Sequence, residues 1–181
     1  MARLVGTKNP LVIAHRGVSS EAPENTLAAY SLAWELKSDA IEIDVRRTKD
    51  SFFVCSHDNN LNRVSLNKKS ISSMLLSEIT EVDIGSWKSK KYKDERMPLL
   101  SKVLSTIPKG KKVFIEIKGA LKEIDQLISI VKKSKIKIRD CHFLSYIPAN
   151  IKKIKKEFPD FKATLNTIPA FYNYEIEKIK R

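Results

Sequence analysis

Glycine is scarce, with five in 181 residues, which excludes a collagen-like repeat or a glycine-rich linker. Only two cysteines occur, Cys55 and Cys141. They lie far apart, which excludes a disulfide scaffold and a cysteine-based metal or redox motif. A reduced, cytoplasmic setting is the default expectation. No stretch approaches the roughly 20 apolar residues of a membrane span, and Met1 to Pro10 lacks the apolar core of a secretory signal. Aromatic residues make up 8% and are not interleaved with an arginine cluster, so no nucleic-acid partner is expected. What remains, 42% hydrophobic and 30% charged, is the composition of a single globular domain over residues 1–181. Such a chain hides about 70% of its unfolded surface and needs neither disulfide nor metal to fold.

The net charge of +13 is unevenly spread. Residues 1–100 carry 15 basic and 13 acidic side chains, whereas residues 101–181 carry 19 and 8. Lysines recurring along helices mark a solvated face, but this half could also attract an anionic membrane or another polyanion. A basic binding module acting through Lys132, Lys133, Lys135, Lys137, Arg139 and Lys152 to Lys156 is therefore the non-enzymatic alternative. It predicts affinity that falls with salt and ignores chelators.

Along the chain, strands alternate with helices. Strands are expected at Leu11–Ala14, Ala40–Arg46, Phe52–Ser56, Lys112–Lys118, Ile138–Ser145 and Phe161–Asn166. Helices are expected from Pro23-Glu24-Asn25-Thr26 onward, from Pro98 to near Pro108, over Leu121–Lys133 and over Pro148–Phe158. Residues 59–97 are polar, with one helical patch at Ser72–Ile79, and read as a small insertion after His57-Asp58. The tail from Thr167 has no clear period, although a helix could begin at Asn173. Six strands alternating with helices indicate an α/β fold of βα units with parallel strands.

The strand Glu42-Ile43-Asp44 carries the first chemical signal. Residues i and i+2 share a face, so the two carboxylates stand together, opposite Ile41, Ile43 and Val45. On a strand covered on both sides they need compensation, and a hard cation such as Mg²⁺ or Ca²⁺ takes oxygen ligands. Glu116 and Lys118 share a face of a later strand, offering a third carboxylate and a cation for an anionic substrate. His15 and His57 each follow an apolar strand and could serve as an acid/base pair. Arg16 could hold a phosphate through its planar fork. His142 lies within an expected strand and lacks such company. Taken singly, these features also describe a polar stripe, loop histidines and a surface ion pair. Their conjunction near the C-terminal parts of successive strands, where α/β folds place their sites, is what points to catalysis.

The ordered set Ile13-Ala14-His15-Arg16-Gly17, Ala22-Pro23-Glu24-Asn25-Thr26, Ile41-Glu42-Ile43-Asp44-Val45, Thr48-Lys49-Asp50, His57-Asp58 with Leu61 and Arg63, Asp83-Ile84-Gly85-Ser86-Trp87, Met97-Pro98-Leu99 and Glu116-Ile117-Lys118 resembles the glycerophosphodiester phosphodiesterase family. The resemblance runs from about residue 11 to about residue 166. It implies a TIM-type (β/α) barrel, here incomplete at about six of eight strands, with one Mg²⁺ or Ca²⁺ held by Glu42, Asp44 and Glu116. His15 and His57 would be catalytic, and Arg16 and Lys118 would bind the phosphate. The implied reaction hydrolyses a glycerophosphodiester to an alcohol and glycerol 3-phosphate, with either water or the glycerol's own hydroxyl as nucleophile. The chain departs from the family pattern at Asn62, Val64 and Ile117, and no counterpart of the last two barrel strands is found. A working short enzyme, an inactive remnant and a retained binding protein are the readings of that shortness. A phospholipase D-like activity on phospholipids is a further alternative. Peripheral contact with an anionic membrane and self-association at an open sheet edge complete the expected partners.

Overall fold

Val45, Arg46 and Arg47 lie opposite Cys55, Val54 and Phe53 in an antiparallel pair, and this hairpin organises the first half of the chain. The computed structural model describes residues 10–167. The strands are β1 (Ile13–Ala14), β2 (Ala40–Arg47), β3 (Phe53–Cys55), β4 (Lys112–Ile117), β5 (Cys141–Ser145) and β6 (Lys162–Leu165). The helices are α1 (Leu27–Glu35), α2 (Leu76–Ile79), α3 (Leu100–Thr106), α4 (Ile124–Lys133) and α5 (Pro148–Glu157). They build one six-stranded sheet in the order β1-β2-β4-β5-β6, with β3 attached to β2 outside that path. The five strands of the path are parallel, as their alternation with helices predicts.

The expectation of parallel strands throughout is corrected at β3. A parallel return needs a crossover of about a dozen residues, whereas a tight turn at Lys49-Asp50-Ser51, with Ser51 at φ 75°, joins β2 to β3. Thr48 Oγ1 donates to Asp50 Oδ1 at 2.6 Å and accepts from Phe52 N at 2.9 Å, closing the turn. The Leu11–Ala14 strand is shorter than expected and is not buried: Leu11, Val12 and Ile13 are 50, 62 and 41% exposed. The reason is that β1 has β2 as its one strand partner among the described residues. β6 likewise pairs with β5 alone among them, so the described sheet is open along both edges. The aromatic run Phe171–Tyr174 and the helix considered from Asn173 lie outside the described residues.

Register assigns the two faces. Ile41 pairs with Val113 and Ile43 with Ile115, and these side chains are fully buried. They pack with Tyr30 and Ala33 of α1, Val103 of α3, Leu127 and Ile128 of α4 and Phe143 of β5. Each such aliphatic side chain contributes about 1.5–3 kcal/mol of burial. The other face carries Glu42 beside Phe114 and Asp44 beside Glu116. The insertion has a second cluster of its own, made by Leu61, Ile71, Met74, Ile79, Ile84 and Met97 against Val54 of β3. Its expected helical patch resolves into a 3-10 turn at Ile71–Ser73 and the single turn of α2. His142, expected to stand alone, stacks on Phe114 with ring centroids 5.2 Å apart, and its Nε2 lies 2.7 Å from Thr164 Oγ1.

Candidate active site

At the C-terminal end of the parallel strands, Glu42, Asp44 and Glu116 present carboxylate oxygens that all lie within 4.8 Å of one another. Glu42 is 6% exposed, Asp44 0% and Glu116 8%, so a solvent-facing polar stripe is excluded. β2 and β4 run in parallel with Asp44 opposite Glu116, which aligns two of the three by register alone. Burial pushes the Glu42 carboxyl up to about 8, and the charge of Asp44 adds to the shift.

Lys118 Nζ contacts Glu116 Oε1 and lies 3.0 Å from Asp44 Oδ1. Its side chain is 12% exposed, so Glu116 and Lys118 form an interior contact and not a surface ion pair. Arg16, at φ 56° in the left-handed region, donates its backbone N–H to Glu42 Oε2 at 3.0 Å. Its Nη1 donates to Glu24 Oε1 at 3.0 Å, and its Nε stands 3.1 Å from Asp44 Oδ2. Three buried carboxylates thus face two cations. Glu42 Oε1 is buried without a hydrogen-bond partner, and Asp44 Oδ1 has only the Lys118 ammonium beside it. An all-oxygen donor set with an orphaned buried oxygen on Glu42 fits a hard divalent cation.

The two histidines follow β1 and β3. His15 Nε2 is 3.8 Å from Glu42 Oε2, and the ring is largely exposed. Burial of part of the ring and the neighbouring Arg16 guanidinium hold its pKa below the usual histidine value. Ser56 N donates to the Asp44 carbonyl at 3.0 Å, which sets His57 one residue past the strand register of Asp44. His57 Nδ1 lies 2.7 Å from Asp58 Oδ1, and Arg46 donates twice to the His57 carbonyl, at 2.6 and 3.0 Å. The antiparallel β3 therefore delivers His57 to the same end of the sheet, although its strand runs the other way.

Three further residues belong to the site. Asn25, at φ 56°, donates Nδ2 to Asp44 Oδ2 at 2.8 Å, while its Oδ1 accepts from Tyr30 Oη at 2.8 Å and Asp44 N at 3.2 Å. Glu24 is clamped between Arg16 and Arg63, with Arg63 Nη1 and Nη2 at 2.6 and 2.7 Å. Asn166 Nδ2, just past β6, reaches Glu116 Oε2 at 3.4 Å. Glu24 and Asn25 lie in the Ala22–Thr26 motif, but periodicity cannot show that a loop amide reaches a strand 19 residues away. Asn166 carries no local signal at all.

The sequence model of the glycerophosphoryl diester phosphodiesterase family matches residues 15–165. The chain belongs to that family. A glycerophosphodiester phosphodiesterase of Caldanaerobacter subterraneus is 36% identical over 162 residues, covering 86% of this chain and 65% of that protein. The structure of an Oleispira antarctica phosphodiesterase in complex with the product sn-glycerol-3-phosphate superposes with a TM-score of 0.85 at 31% identity, over 94% of this chain and 72% of that one. The glycerophosphodiester phosphodiesterase of Agrobacterium tumefaciens gives a TM-score of 0.79 at 29% identity, over 84% and 65%. This family member spans less than two thirds of the length of the curated relatives it matches. The likeness assigns the open parallel sheet to the TIM-barrel architecture of the family, with the barrel not closed by the described strands.

Proposed function

We propose that this chain hydrolyses glycerophosphodiesters to an alcohol and glycerol 3-phosphate with the help of one divalent cation, Mg²⁺ or Ca²⁺. The observation that carries the reading is the buried triad Glu42, Asp44 and Glu116, with Glu42 Oε1 unbonded, His15 Nε2 3.8 Å from Glu42 Oε2 and His57 following the residue that bonds the Asp44 carbonyl. The triad would hold the cation, which when bound supplies positive charge to the phosphoryl oxygens.

The phosphodiester is an anion that repels nucleophiles, so positive groups facing its non-bridging oxygens lower the barrier. Lys118 and Arg16 are the cations placed for this. Both are anchored by carboxylates, which fixes their positions before substrate arrives. Asp58 at Nδ1 of His57 orients the ring and leaves Nε2 to exchange a proton with the substrate or nucleophile. His15, disfavoured as a cation by partial burial and Arg16, supplies the second proton-transfer group. Asn25 positions Asp44 and touches no substrate in this reading.

The test is release of glycerol 3-phosphate from glycerophosphocholine with Mg²⁺, Ca²⁺ or EDTA, beside His57→Ala. Release that requires the ion and drops by about 100-fold or more in the variant is expected. Release indifferent to both chelator and His57 would sink the two-histidine, metal-assisted reading.

A further inference from the structure

Leu61 is fully buried in the hydrophobic cluster of the insertion, and Val64 packs against the same cluster. Val64 N and Ser65 N both donate to the Leu61 carbonyl, at 3.1 and 2.8 Å, which closes the backbone around Arg63 into a tight turn. From this anchored turn the Arg63 side chain reaches two carboxylates, Glu24 before α1 and Asp58 after β3. Its Nε lies 2.7 Å from Asp58 Oδ2. Its Nη1 and Nη2 donate to Glu24 Oε2 and Oε1 at 2.6 and 2.7 Å, a bidentate pair.

Each carboxylate has a second partner in the candidate active site. Asp58 Oδ1 stands 2.7 Å from His57 Nδ1. Glu24 Oε1 accepts from Arg16 Nη1 at 3.0 Å, and Arg16 Nε lies 3.1 Å from Asp44 Oδ2. One side chain of the insertion therefore completes an unbroken line of contacts, His57–Asp58–Arg63–Glu24–Arg16. A lone exposed ion pair does little. Here the Glu24 side chain is only 11% exposed and holds two guanidinium groups at once. A planar fork with donors on two edges can hold both carboxylates in fixed geometry, which an ammonium cannot.

We infer that Arg63 is a positioning residue for catalysis, resting on the proposed reaction for the tasks of His57 and Arg16. It fixes Asp58, so that the His57 ring keeps one orientation and one tautomer. It fixes Glu24, so that Arg16 is aimed before the diester arrives. The insertion is then part of the working active site. The competing role is a purely structural tie that holds the insertion down.

Arg63→Gln and Arg63→Lys separate the two roles, with Lys69→Gln as control. The control breaks the exposed Lys69–Glu78 pair of the insertion, whose Nζ–Oε1 distance is 3.0 Å. Hydrolysis of glycerophosphocholine with the divalent ion is measured well below each unfolding transition, with near-ultraviolet circular dichroism as the check on folding. Arg63→Gln should lower kcat/KM by about 10- to 100-fold, the scale of a misplaced reacting group. Arg63→Lys keeps the charge and should still lose at least about 5-fold, because it lacks the fork. Lys69→Gln should match the parent.

Two readouts need no turnover. Long-range proton–nitrogen NMR, with the His57 signal identified by its loss in His57→Gln, should show the neutral ring protonated at Nδ1 in the parent and at both nitrogens in Arg63→Gln. Calorimetric affinity for glycerol 3-phosphate should also fall in Arg63→Gln. Full activity in either Arg63 variant, an equal loss in Lys69→Gln, or a slower Arg63→Gln with unchanged tautomer and affinity would overturn the inference. A parent that fails to hydrolyse the diester while its His57 tautomer still depends on Arg63 upholds the positioning and removes the catalytic reading. Hydrolysis that Arg63→Gln leaves untouched does the reverse.

Discussion

Gly17 shows how tightly single residues are determined around the site. It follows Arg16 with φ +78°, and a Cβ there would come within 2.6–2.7 Å of Ala29. The close approach lets the His15-Arg16 loop lie against α1. Gly17→Ala combines a left-handed conformation with a backbone collision, so a loss of at least about 1–3 kcal/mol is expected. Thermal unfolding of the variant checks it. The two cysteines illustrate the opposite case, residues that serve only as part of the main hydrophobic core. Burial pushes the Cys141 thiol up to about 12 and raises that of Cys55 further. Both should be unreactive toward a thiol reagent in the native protein and react on denaturation; rapid labelling of the folded chain would contradict this.

Among the elements, α1 depends on its first turn. Thr26 is buried and caps the helix, its Oγ1 accepting from Ala29 N at 3.2 Å while donating to the Pro23 carbonyl at 2.6 Å. Thr26→Ala should cost about 1 kcal/mol, read as a fall in Tm of about 2–4 °C. The residue before the cap is Asn25, which holds Asp44, so the variant should also weaken the metal response more than a surface helix variant does. A calorimetric titration with Mg²⁺ or Ca²⁺ measures that second effect. The β2–β3 hairpin makes the complementary point. Its short turn reverses the chain beyond Asp44 and brings Ser56, the neighbour of His57, back onto the Asp44 carbonyl, which a helical crossover would not do.

At the scale of the molecule, charge is organised around Arg63, which joins the insertion to the barrel-type sheet. Burial alone would raise the Glu24 and Asp58 carboxyls. For Glu24, the hydrogen bonds and charge of Arg63, with Arg16, reverse that and leave it below its usual value. For Asp58, His57 and Arg63 do the same. Groups lowered in the folded state stabilise it above their unfolded pKa values, and the contribution disappears as pH falls through the folded ones. Arg63→Ala should therefore lower Tm at pH 7, and the difference from the parent should shrink below about pH 4.5. Melting curves of both proteins from about pH 3 to 7 decide it, and a difference that widens toward acid would refute the linkage.

The amino-acid sequence by itself determined the alternation of strands and helices, the pairing of Glu42 with Asp44 on one face, and the ordered motifs that carry the family resemblance. Those are local properties: periods of 2 and 3.6 residues are set by backbone geometry, and motif spacing is linear. Tertiary structure decided that β3 runs antiparallel, that β1 stands exposed at an edge, and that Asn25 and Asn166 reach the carboxylates. It also decided that Glu116 and Lys118 are an interior contact where their spacing equally describes a surface pair. Strand direction, burial and contacts across 19 or 50 residues depend on which elements become neighbours, and no period along the chain encodes that.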